Sequence, residues 1–288
     1  MIYTVTLNPA LDKTVQIPSF RLGEVNRISA MRTDPGGKGI NVSKVLRELG
    51  EPSVAAAILG GAAGQKIESA LRALGIEGMY LFTGHETRTN LKIVDPTLHT
   101  NTDVNEPGAP ADEAVLSKLL SQLTGRLRPG DLVVLSGKAP AGPPDTLYRD
   151  WILACRAAGA AVYLDAEGEL LRQGVTAGPA LIKPNQAELS GVMGRPLTTE
   201  DETIRAAQEL LAQGVGCVAV TMGAGGALLC WEDCVLRCES PRVPVGSTVG
   251  AGDSVVAALA YGLSTYFLLI IGAGHVTKMW ALVYAPLM

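Results

Sequence analysis

Apolar residues along this chain fall into two alternating patterns. Short unbroken runs, YTVTL (3–7), VAAAIL (54–59), DLVVLS (131–136), AVYLD (161–165) and CVAVTM (217–222), are too brief for helices and predict buried strands. Between them the apolar positions spread to helical spacing. GINVSKVLREL (39–49) places them at 40, 42, 45, 46 and 49 before Gly50, and QKIESALRAL (65–74) closes on Gly75, a residue type that ends helices readily. Further helices are expected near 112–124, 145–158 and 200–213, with LIKPN (181–185) as a short strand leading into a helix. Strands and helices in regular alternation predict an α/β fold, with a mostly parallel central sheet covered on both faces.

Three stretches depart from that rhythm. Residues 11–34 and 87–105 are polar and β-prone, and TRTNLKIVD and LHTNTDVNE read as two strands joined by a turn at Pro96. They predict a small β-lid over the ligand edge of the main sheet, within one domain spanning residues 1–288. At the other end, no Asp, Glu, Lys or Arg separates Asp253 from Lys278. The span 254–277 is long enough to raise a membrane-anchored alternative. Its Gly, Ser, Thr, Tyr and His content, and its start at a glycine turn, favour a buried all-apolar helix that runs into an atypical tail at 264–288.

Charge narrows the function classes. The 28 acids and 24 bases are scattered and give a net charge of −4, with no basic block of the kind that grips nucleic acid. Met1 leads directly into IYTVTLNPAL without a basic n-region, so a secretory leader is not expected and a cytoplasmic protein is. Cys155 and Cys217 stand alone in apolar runs. Cys230, Cys234 and Cys238 form a C-x3-C-x3-C series across what read as two short strands and a Trp-Glu-Asp turn, with no His nearby. Zinc sites favour C-x2-C pairs and a fourth ligand, so ordinary thiols are expected here.

Four motifs carry possible chemistry, and each admits a plainer reading. PGGKGIN (35–41) is not a Walker A loop, because Arg32 stands where its first Gly belongs and Gly39 where Ser or Thr belongs. Its glycines still permit close backbone approach to a ligand at a helix start, or simply a turn. In KPNQAE (183–188), Asn185 and Glu188 are three apart and face the same way beside Lys183, which suits either a metal site or a capping box. The glycines of TMGAGG (221–226) could meet a nucleotide or turn a hairpin into ALLCW. In GSTVGAGDSVV (246–256), Gly250, Ala251 and Gly252 could aim backbone amides at an anion, with Asp253 just inside a helix. A carboxylate there would repel a phosphate unless it collects a proton from an attacking hydroxyl; the plainer reading is a helix cap.

Each motif follows a strand, so all four could meet at the carboxyl edge of one parallel sheet. Their order resembles that of sugar kinases of the ribokinase-like superfamily, and most of all its phosphofructokinase B branch, over roughly residues 1–263. Within the branch, NPALD (8–12), GEVNR (23–27), PGGKGINV and TRTNLKI are similar to 1-phosphofructokinases and tagatose-6-phosphate kinases. The resemblance implies a three-layer α/β sandwich with a β-lid, a homodimer joined through that lid, and ATP and Mg2+ as cofactors. By it, Asp12, Gly37 and Asn41 would hold sugar hydroxyls, while Arg27, Lys38 and Arg88 would surround the phosphate already on the substrate. Lys183, Asn185 and Glu188 would serve the ATP phosphates and the magnesium-water shell, and Thr221, Gly223, Gly226 and Ser247 the nucleotide. Asp253 would be the general base, with the amides of Gly250, Ala251 and Gly252 stabilising the moving phosphoryl group.

The implied reaction is phosphorylation of a ketohexose monophosphate, D-fructose 1-phosphate first, with tagatose 6-phosphate and fructose 6-phosphate as alternatives. Two departures from the family pattern bear on this. SGKAPAG (136–142) has Lys138 where relatives commonly carry Ser near the substrate phosphate, so Lys138 either replaces that contact or blocks it. The apolar tail 264–288 does not resemble the family's ending. It predicts weakened nucleotide binding, poor solubility or oligomerisation, and it leaves a catalytically impaired sugar-phosphate-binding protein as an alternative.

Overall fold

The computed structural model describes residues 1–240 and 250–263. Ser247 and the tail at 264–288 lie outside them. The chain opens on β1 (Ile2–Thr6), all five residues buried, and then forms the hairpin of β2 (Ala10–Gln16) and β3 (Ala30–Gly36). Helix α1 (Lys38–Glu48), β4 (Ser53–Gly60), α2 (Gly61–Ala73) and β5 (Glu77–Thr83) follow, then a second hairpin of β6 (Thr89–Asp95) and β7 (Thr100–Asn105). The alternation resumes with α3 (Glu113–Arg126), β8 (Leu132–Ser136), α4 (Leu147–Ala157), β9 (Ala161–Asp165), α5 (Gly168–Val175) and β10 (Leu181–Ile182). Next come α6 (Gln186–Met193), α7 (Glu200–Ala212), β11 (Val218–Thr221), the hairpin of β12 (Ala227–Trp231) and β13 (Cys234–Cys238), and α8 (Ala251–Leu263).

Nine strands make the main sheet in the order β13-β12-β11-β10-β9-β8-β1-β4-β5. The seven from β11 to β5 are parallel, and β12 and β13 add an antiparallel edge. Alternating side chains of each strand feed opposite cores. Val133 and Leu135 join Leu119, Tyr148, Ile152, Leu171 and Leu210 from α3, α4, α5 and α7. Leu132 and Val134 face the other way, onto Val42 and Leu46 of α1 and Val256, Leu259 and Ala260 of α8. Helices therefore cover both faces, giving three layers. The uncharged helix expected after Asp253 is present as α8 and is buried against α1. Among the described residues no helix is long and apolar enough to cross a membrane.

The two rhythm-breaking segments pair into a second sheet, β3-β2-β6-β7, with β2 and β6 parallel and the outer pairs antiparallel. One face is apolar through Val15, Ile17 and Ile93, while every residue of β7 is exposed. Two elements escape the apolar pattern. β5 begins with Glu77 and Gly78 at the sheet's edge, and α5 is only eight residues, GELLRQGV.

Candidate active site

β1, β8, β9, β10 and β11 are parallel neighbours, so their final residues and following loops gather at one edge. The glycine loop crosses the end of β1. Gly37 has φ +111°, and a Cβ there would stand 2.6 Å from Thr6 Cγ2, so only glycine lets the loop lie this close. A Cβ on Gly36 would fall 2.0 Å from Asp12 Oδ2, which places the lid carboxylate directly on the loop. Asp12 Oδ1 accepts a 2.9 Å hydrogen bond from Asn90. Burial pushes the Asp12 pKa up, opposed by that hydrogen bond and by Lys44 and Arg88.

Asn41, one turn into α1, donates from Nδ2 to Asp253 Oδ2 at 2.9 Å. Asp253 sits in the first turn of α8 and is 6% exposed. The partner of its carboxylate is thus a side chain of another helix, which is not the pattern of a helix cap. Burial lifts its pKa to about 6, Asp165 adds to the rise, and Asn41, Lys38 and Lys183 oppose it. Gly250, with φ +79°, precedes the helix, and its carbonyl accepts from Ser254 N (2.8 Å) and Ser254 Oγ (3.0 Å). This closes the first turn and leaves the N–H groups of that turn directed out of the helix start.

Beside Asp253 lies a charged centre built on Asp165, the last residue of β9. Its Oδ1 is 3.3 Å from Lys38 Nζ and 3.2 Å from Lys183 Nζ, while Ser136 Oγ donates to Oδ2 at 3.1 Å. Asp165 and Lys183 are both nearly fully buried. Burial works against the charge on Lys38, but Asp165, Asp253 and Glu188 outweigh it and hold the Lys38 pKa above the usual lysine value. A Cβ on Gly252 would lie 3.5 Å from Lys183 Nζ, so the start of α8 closes over the same cation.

The next two motifs form their plainer structures and still join the group. Asn185 caps α6, accepting from Glu188 N at 2.8 Å, and Glu188 Oε2 accepts from Asn185 N at 2.8 Å, a complete capping box. Thr221 bridges to Asn185 and donates its N–H to the Pro184 carbonyl. Gly223 and Gly226 turn the hairpin from β11 to β12 through a 3-10 segment, Gly223–Gly225, closed by Met222 N to Gly226 O. Cys230, Cys234 and Cys238 are spread along β12 and β13.

Three further cations expected at the substrate phosphate have these surroundings. Arg88 donates to the carbonyls of Asn8 (3.1 Å), Pro9 (3.3 Å) and Glu106 (2.9 Å), and burial pulls its pKa down. It lines an open cleft with Asn8, Pro9, Thr87 and Pro140. That cleft flanks the charged centre and contains neither Asp253 nor Lys183. Lys138 Nζ is paired with Glu167 Oε1 at 2.8 Å. Arg27 is exposed in the β2–β3 loop.

Residues 5–274 match the pfkB family of carbohydrate kinases. The chain belongs to this family. The 1-phosphofructokinase of Rhodobacter capsulatus is 41% identical over 261 residues, covering 90% of this chain and 83% of the relative. The 1-phosphofructokinase of Bacillus subtilis is 36% identical over 264 residues, covering 92% and 86%. Phosphofructokinase-2 from Escherichia coli, solved in complex with fructose-6-phosphate, superposes with a TM-score of 0.87 at 32% identity, covering 91% of this chain and 86% of that one.

As a pfkB kinase, the chain is a phosphotransferase with an alcohol group as acceptor. Its geometry suits that chemistry. A buried carboxylate of raised pKa can take a proton, and two lysines with outward-facing helix amides can hold negative charge. Sequence reasoning missed Asp165, which ties the two lysines together. The available signal was an Asp closing an otherwise apolar strand, AVYLD, at the edge where the other motifs end.

Proposed function

We propose that this pfkB kinase is an ATP-dependent 1-phosphofructokinase, converting D-fructose 1-phosphate to the 1,6-bisphosphate in the cytoplasm. The observation that carries the reading is the Asn41–Asp253 hydrogen bond at the start of α8, set beside the Lys38–Asp165–Lys183 centre. The curated relatives supply the preference for fructose 1-phosphate. The Escherichia coli structure with fructose-6-phosphate keeps the opposite end of the sugar as the second reading. The proposed unit is one kinase domain with its lid.

Asp253 takes the proton from the attacking primary hydroxyl, and Asn41 fixes the carboxylate for that transfer. Asp12 and Gly37 line the sugar side, next to the glycine loop. Lys38, Lys183 and the amides of Gly250, Ala251 and Gly252 hold phosphate oxygens, and Thr221, Gly223 and Gly226 flank the nucleotide. Asn185 and Glu188, whose oxygens accept within the capping box, would meet a hydrated magnesium ion through its water, since magnesium keeps much of its shell. ATP supplies the phosphoryl group, and magnesium bound through those residues would neutralise charge on its oxygens. A coupled assay of ADP release with ATP and magnesium tests the proposal. Fructose 1-phosphate is expected to give a kcat/KM at least about tenfold above tagatose 6-phosphate and fructose 6-phosphate. No release with any of them would support a binding protein instead.

The lid supports a homodimer. β2 and β3 run from the Ala10–Gly36 pair at the glycine loop to Gln16–Ala30, about 20 Å away at strand rise. Arg27 lies in the loop beyond, so it serves a partner's site rather than its own. Leu22 is 90% and Val25 83% exposed on that loop, with Met31 and Val104 exposed on the lid strands, an apolar surface suited to a second copy. Arg27→Ala and Asp253→Asn proteins, each inactive alone, are expected on mixing to recover about a quarter of wild-type activity, because hybrid dimers hold one intact site. Recovery of none would return Arg27 to its own chain's site, and an Arg27→Ala protein active on its own would remove Arg27 from function.

A further inference from the structure

Lys138 and Glu167 form an ion pair at a place where an exposed ion pair has little structural work to do. Ser136 and Asp165 are register partners at the ends of β8 and β9, joined by the Ser136 Oγ hydrogen bond. Two residues further along each strand direction, Lys138 and Glu167 meet at 2.8 Å, with side chains 68% and 44% exposed. The pair therefore stands one step outside the charged centre, on the same two connections.

The loop that carries Lys138 is held firmly. Gly137 donates its N–H to the Asp165 carbonyl, and the buried Tyr148 hydroxyl donates to the Gly137 carbonyl at 3.0 Å. The Cβ direction of Gly137, at φ +102°, faces the Lys38 side chain at 3.6 Å. On the other side, Pro140 lines the cleft that Arg88 also lines. Lys138 thus stands on a fixed loop between Lys38 and the Arg88 cleft, and a partner carboxylate covers its ammonium group.

We propose that Glu167 is an internal stand-in for the phosphate of the sugar substrate, and that the Lys138–Glu167 pair is a displaceable latch setting affinity for a phosphorylated sugar. This rests on the sugar-phosphate kinase reading and deepens it. An exposed carboxylate–ammonium pair is weak and screened by water. A phosphate dianion carries more charge and more acceptor oxygens than the carboxylate, so it displaces Glu167 from Lys138. Glu167 then opposes anion binding twice, by occupying the lysine and by repelling the incoming charge. A neutral sugar gains nothing from breaking the pair, and selection for a substrate that already carries phosphate follows.

Titration calorimetry with inorganic phosphate, and separately steady-state kinetics with fructose 1-phosphate, test the latch on the wild-type, Glu167→Gln and Lys138→Met proteins. Glu167→Gln is expected to bind phosphate about threefold or more tightly and to lower KM for fructose 1-phosphate to match, with KM for ATP unmoved. Lys138→Met is expected to weaken phosphate binding and to raise KM about tenfold, the loss falling on KM rather than kcat. In the double variant the gain from Glu167→Gln should shrink to the part that relief of charge repulsion supplies, since the route through Lys138 is gone; an undiminished gain would overturn the latch. Unchanged or weaker phosphate binding by Glu167→Gln would overturn the latch. Absence of turnover by the wild-type protein would instead overturn the kinase reading, while the phosphate titrations would still decide the latch.

Discussion

Replacing Asp253 with Asn is expected to lower kcat by about 10²- to 10⁴-fold, the range of a lost general base. The replacement keeps the shape of the side chain and an oxygen that can still accept from Asn41 Nδ2, so the packing of α8 on α1 survives. KM for both substrates should therefore move little, which separates loss of the base from loss of the site. A pH series sharpens the test. The Asp253 pKa is pushed up to about 6, chiefly by burial. Below that value the carboxyl is protonated and cannot accept the hydroxyl proton. The wild-type kcat/KM should rise about tenfold per pH unit up to about pH 6 and then level, and the rise should be missing in Asp253→Asn. A variant with wild-type turnover, or one that keeps the acid limb, would remove Asp253 from the proton transfer.

The largest effect on stability is expected from Asp165→Ala. Asp165 is nearly fully buried, and its carboxylate is the shared partner of Lys38 and Lys183. Removing one side of a buried pair leaves an uncompensated charge, which costs about 3–5 kcal/mol. Lys183, with its side chain only 6% exposed, cannot turn to water without opening the start of α8. Urea denaturation should show this loss, and at temperatures where the variant stays folded KM for ATP should rise. Asp165→Asn keeps the volume and an acceptor for Ser136, so it should fall between wild type and Ala. A loss below about 1 kcal/mol for Ala would mean that the lysines find other partners, and Asp165 would not be the positioning residue for them.

Much of this arrangement was legible in the chain, for reasons that particular residues make plain. Strands such as VAAAIL are buried on both faces and so lack alternation, and helices such as GINVSKVLREL show their buried stripe in sequence. Order along the chain made neighbours of KPNQAE and TMGAGG, which follow the parallel strands β10 and β11, whereas PGGKGIN reaches the same edge from β3, an antiparallel strand of the small sheet, and not from the main sheet as expected. What escaped were properties created only by pairing. Asp165 looks like any strand-ending Asp until Lys38 and Lys183, from far-apart segments, converge on it. Arg88 and Lys138 were legible as cations, but not as cations held by backbone carbonyls and by Glu167. β5 was hidden because an edge strand carrying Glu77 and Gly78 has a weak apolar signature.

The hydrogen bond between Asn41 and Asp253 joins residues 212 positions apart. During synthesis at 5–20 residues per second, the second member leaves the ribosome about 10–40 s after the first. Until then Val42 and Leu46 of α1, with Ile2 and Val134 of the sheet, lack the α8 residues that cover them. Over that interval this side of the sheet is left uncovered and the Asn41–Asp253 bond cannot form, and the arrival of α8 supplies both. One late helix thus completes the core on this face and the longest-range bond of the candidate site together.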